Sequence, residues 1–84
     1  MKEVIEQKLR IHFNPTILEL IDESYKHAKH ANWQTGRATH FNLTISSNQF
    51  KGKSRIQIHK LIYQILETEI RTGEIHALSI IIKY

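Results

Sequence analysis

The sequence predicts a small α/β domain of the α+β kind, a three-stranded mixed sheet packed by helices in the order helix, strand, strand, helix, strand. Three observations carry that prediction. An apolar stripe at helical spacing precedes Asn14-Pro15, a two-residue alternation runs from Phe41 to Ser46, and a second helical stripe from Ile58 to Ile70 leads into the β-branched run Ile80-Ile81-Ile82.

The first helix spans Lys2 to Phe13, with Val4, Ile5, Leu9 and Phe13 along one face, and Asn14-Pro15 stops it because proline disfavours the α region in its predecessor. Thr16 to Asp22 reads as a strand, although the doublets Ile17-Leu18 and Leu20-Ile21 blur its alternation and leave its inward face open. Glu23 to Thr39 has no sustained apolar period, contains Gly36 and a lone Trp33, and reads as a long loop of the length that often carries function.

The second strand places Phe41, Leu43 and Ile45 on one face and Asn42, Thr44 and Ser46 on the other. A short extra helical turn fits near Gly52. Ser54-Arg55-Ile56-Gln57 has the capping-box pattern, so the main helix begins there and carries Ile58, Leu61, Ile62, Ile65, Leu66 and Ile70 towards the sheet until Gly73 ends it. Ile75 to Lys83 makes the third strand, with His76 as its second residue.

At 84 residues, with no internal repeat or low-complexity tract, the chain reads as one domain over 1–84. No apolar run approaches the ~20 residues of a membrane helix, and Met1 to Glu6 lacks a signal peptide's apolar stretch, so a soluble, intracellular, cytoplasmic protein with no membrane partner is expected. The chain has no cysteine, which excludes disulfides and thiol catalysis and leaves imidazole to meet any soft metal. The net charge of +4 is spread among interspersed signs, a mild bias towards anionic partners. Ser24, Asp22 and a histidine do not make a credible hydrolytic triad without a nucleophile-elbow motif, and so small a domain has little room for a substrate pocket, so no enzyme is expected.

Six histidines raise the question of which of them the fold brings together. If the first two strands are antiparallel, the loop holding His27 and His30 leaves the sheet at the end where His40 begins the second strand. A third strand reached through a helical crossover returns parallel to the second, which brings His76 to the same end. His12 and His59 lie on the helices, His12 at a helix C-terminus where a protonated imidazole is favoured. Two or three imidazoles can anchor a borderline metal but cannot close a cluster site without cysteine, so a partner has to bring thiolates. Acidification, which protonates imidazole, competes with metal binding.

Several stretches in order also resemble the BolA family: Asp22-Glu23-Ser24-Tyr25-Lys26-His27, Thr39-His40-Phe41, Phe50-Lys51-Gly52, His59-Lys60-Leu61-Ile62-Tyr63, Leu66-Glu67-Thr68-Glu69 and Ile75-His76-Ala77-Leu78-Ser79-Ile80. The resemblance covers nearly the whole chain. It implies an αββαβ fold similar to the class II KH arrangement, and a non-enzymatic protein that pairs with a monothiol glutaredoxin through a shared two-iron two-sulfur cluster. The glutaredoxin cysteine and glutathione supply the sulfur ligands, no cluster is expected in the isolated chain, and the role is iron-sulfur trafficking or iron regulation. His76 matches the family's C-terminal ligand and His27 its loop ligand, with His30 as an alternative loop ligand because the loop is longer than the family pattern. His40 is read as a structural or supporting residue.

The resemblance also implies an alternative, a DNA-binding transcriptional regulator. Lys51, Lys53, Arg55 and Lys60 gather near the start of the main helix, where positive charge and helix amides favour phosphate. KH domains clamp a nucleic-acid backbone with Gly-x-x-Gly, and Gly52-Lys53-Ser54-Arg55 lacks the second glycine. Trp33 offers a stacking surface for a base or a partner.

Overall fold

A computed structural model describes residues 2–23 and 40–84. Helix α1 spans Lys2–Phe13 and buries Ile5, Leu9 and Phe13, one residue per turn at four-residue steps. Val4, expected on that stripe, is 45% exposed, because the buried face is only one residue wide. Asn14 does not take the extended conformation that a following proline favours. It sits at φ 44°, in the left-handed region that asparagine tolerates, and its N–H donates to the Arg10 carbonyl at 3.0 Å.

Strand β1 (Ile17–Asp22) runs antiparallel to β2 (His40–Ser46), pairing Ile17 with Ser46 and Asp22 with Phe41. Strand β3 (Ala77–Ile82) runs parallel to β2, from His40 opposite Ala77 to Ile45 opposite Ile82, giving the sheet order β1-β2-β3. Leu20, Phe41, Leu43 and Ile45 are buried beneath the helices, with Leu18, Leu78, Ile80 and Ile82 packed against them. The other face keeps Ile17, Glu19, Ile21, Ser79 and Ile81 exposed, which resolves the doublets of β1: Leu18 and Leu20 point inward and Ile17 and Ile21 outward.

After β2, Ser47 caps a short 3-10 turn at Asn48–Phe50, the extra turn expected near Gly52. Phe50 is buried with its ring centre 5.4 Å from that of Phe13 and tilted by 60°, a favourable aromatic arrangement that closes the core at this end. Helix α2 (Arg55–Ile65) begins with the expected capping box: Gln57 N–H donates to Ser54 Oγ at 3.1 Å and Ser54 N–H to Gln57 Oε1 at 2.8 Å.

The single long helix expected from Ser54 to Gly73 is two. Leu66, at φ −101° and ψ 15°, leaves helical geometry and separates α2 from α3 (Glu67–Arg71). One residue with altered dihedrals leaves Leu66 buried and Ile70 packed against the core, so the apolar period continues through the break. Gly73 follows at φ 84°, the left-handed conformation its position called for. Strand β3 starts at Ala77 and not at Ile75, because Ala77 lies opposite the first residue of β2; His76 therefore precedes the strand. No helix among the described residues is long and apolar enough to cross a membrane.

Candidate functional site

The end of the sheet where β2 begins collects the histidines that the structure describes near one another. His40 opens β2, and the parallel register sets it opposite Ala77, so His76 comes alongside although 36 positions separate the two in sequence. Their ring centres lie 5.7 Å apart with the planes tilted by 39°. His76 is exposed and His40 half-buried.

The backbone holds both residues from either side. Glu23 N–H donates to the His40 carbonyl at 2.8 Å, extending the β1-β2 ladder by one residue, so the segment 24–39 departs from and returns to this edge. On the other side, Ile75 is buried and its N–H donates to the Glu69 carbonyl at 3.0 Å, which fixes the residue before His76. Glu69 is itself buried and its Oε2 accepts from Lys8 Nζ at 2.6 Å, linking α3 to α1; its Oε1 is buried without a hydrogen-bond partner.

His27 and His30, the two loop candidates, lie outside the described residues, as does Trp33. Among the described residues no group of three or more histidine, aspartate or glutamate side chains forms a metal site. A pair of imidazoles suits a borderline metal but supplies no sulfur, and the chain has no cysteine to add. His40, read from the sequence as a supporting residue, is the side chain the structure sets beside His76. The sequence carries no local signal for this neighbour: topology brings His40 and His76 to one end of the sheet, and the parallel register, His40 opposite Ala77, sets them side by side.

The other histidines are elsewhere. His12 is exposed in the last turn of α1, and His59 is half-buried on α2 with its Nε2 buried and unpartnered. His12 lines a cleft of about 330 Å³ with Phe13, Gln49, Lys53, Leu61, Gln64 and Ile65. That cleft lies at the opposite end of the sheet, where β2 finishes. Lys51, Lys53, Arg55 and Lys60 are all exposed; the first three flank the start of α2 at that same far end, and Lys60 lies midway along the helix. The seven residues of β2 set its two ends about 20 Å apart, at ~3.3 Å per residue, with His40 and His76 at one end and the start of α2 beyond the other.

Comparison with known proteins agrees with this fold. The family model described as BolA-like protein matches residues 9–83. The DNA-binding transcriptional regulator BolA of Escherichia coli (strain K12) is 39% identical over 80 residues, covering 95% of this chain and 71% of that protein. SufE-like protein 1, chloroplastic/mitochondrial, of Arabidopsis thaliana is 45% identical over 83 residues, of which the match takes 94% of this chain but only 22% of the relative. Among solved structures, BolA1 from Arabidopsis thaliana superposes with a TM-score of 0.86 at 38% identity, over 99% of this chain and 89% of that one. With a family model covering most of its length, close relatives and the same three-stranded fold, the chain belongs to the BolA family.

Proposed function

We propose that the protein is a cluster-binding partner of a monothiol glutaredoxin, acting in iron-sulfur trafficking or iron regulation. The observation that carries this reading is the position of His76: exposed, and beside the residues from which the segment bearing His27 and His30 leaves and to which it returns. In this reading His76 and His27, or His30 in its place, hold a two-iron two-sulfur cluster from one side, while the glutaredoxin cysteine and glutathione hold it from the other. The cluster is cargo, and the chain's own contribution is to present neutral imidazole at a fixed edge. Ile75 and Glu69 serve this by anchoring the turn behind His76.

Co-purification with a monothiol glutaredoxin and glutathione tests the reading. The complex should show the visible absorption and circular dichroism of a bound cluster, and His76→Ala should alter or abolish both. Spectra unchanged by that substitution would remove His76 from the ligand set.

A second reading, DNA binding, is favoured by the similarity to the Escherichia coli DNA-binding transcriptional regulator BolA together with the exposed Lys51, Lys53, Arg55 and Lys60. A mobility assay on the isolated protein tests it. A phosphate-driven complex weakens steeply as salt is raised, and absence of binding at low salt would exclude it.

A further inference from the structure

The glutaredoxin reading calls on His76 and takes its second histidine from the segment 24–39, although the side chain set beside His76 is that of His40. We infer that His40 and His76 together chelate one mononuclear divalent ion of borderline character, of the zinc, nickel or copper type, in the chain by itself. This goes beyond the glutaredoxin reading, because it requires no glutaredoxin, glutathione or sulfide.

The geometry supports chelation. A ring centre lies about 1.1 Å from its nitrogens and an ion about 2.0 Å further, so two imidazoles on one ion have centres about 4.4 Å apart at a right angle, about 5 Å at a tetrahedral angle and about 6 Å when opposite each other. The observed 5.7 Å lies inside this range, so side-chain rotation alone, without movement of the backbone, brings one nitrogen of each ring onto a shared ion. Both residues are also held in place before any ion arrives: His40 by the β2-β3 register and the Glu23 hydrogen bond, His76 by the buried Ile75 and its bond to Glu69. Little ordering of backbone is left to oppose binding.

The chemistry follows from the donors. Two neutral imidazoles select borderline over hard cations, so magnesium and calcium are poor competitors. The remaining coordination positions are open to water, as in sites that exchange ligands.

The test uses the untagged chain, titrated with copper(II) at neutral pH and followed by electron paramagnetic resonance, whose nitrogen couplings count bound imidazoles. One equivalent should bind with two imidazole nitrogens. His40→Ala and His76→Ala should each weaken this binding by about tenfold or more, while a His27→Ala/His30→Ala double variant and His12→Ala should retain it. His40→Gln serves as a second variant if His40→Ala fails to fold by circular dichroism. Binding unaffected by loss of His40, or abolished by loss of His27 and His30, would overturn the inference. A chain that forms a cluster with glutaredoxin yet binds no ion alone overturns this inference only; one that binds the ion but forms no cluster overturns only the glutaredoxin reading.

Discussion

Ser47 joins three parts of the molecule through one hydroxyl. It is buried, its Oγ donates to the Phe13 carbonyl at 2.5 Å, and it accepts from Gln49 N–H at 3.1 Å. It thereby satisfies a carbonyl that the end of α1 leaves without an intrahelical partner and caps the turn that carries Phe50. Ser47→Ala is expected to lower stability by about 1–3 kcal/mol, because it leaves a buried acceptor unpaired; urea unfolding should show a lower midpoint at unchanged slope. Glu69 has a comparable linking role, with its carboxylate on Lys8 and its carbonyl on Ile75, so a residue of α3 sets the approach to His76.

At the scale of elements, the start of α2 is specified most locally. Ser54 and Gln57 exchange hydrogen bonds between their side chains and each other's backbone N–H, and both lie on the surface. Ser54→Ala should therefore cost about 1 kcal/mol with no loss of core packing. The check is hydrogen exchange, which should speed up in the first turn of α2 well before the strands respond. Because Lys53 and Arg55 flank this cap, the same variant should also weaken any DNA complex. It should leave copper binding at the His40 and His76 edge as it was.

For the whole molecule, the central strand is the organising element: β2 pairs with both neighbours, its inner face is fully buried, and its two ends carry the two candidate surfaces. Ile62, fully buried where α2 meets the sheet, contributes to the core that holds both ends in register. Ile62→Ala should cost about 2–5 kcal/mol, a large share of the stability of so small a domain, and thermal denaturation should show it as a lower midpoint. The sequence by itself determined the order of elements, the capping box, the turn at Gly73 and the inward face of β2, because each is written in neighbouring residues. It did not determine the break at Leu66, where one altered residue leaves the apolar period in phase, or which face of β1 is buried, where adjacent apolar residues offer both. It placed His76 at the correct end of the sheet by topology and did not single out His40 as its neighbour. Only the tertiary structure decided that pairing, because parallel register is fixed by packing between residues far apart in the chain and no local pattern encodes it.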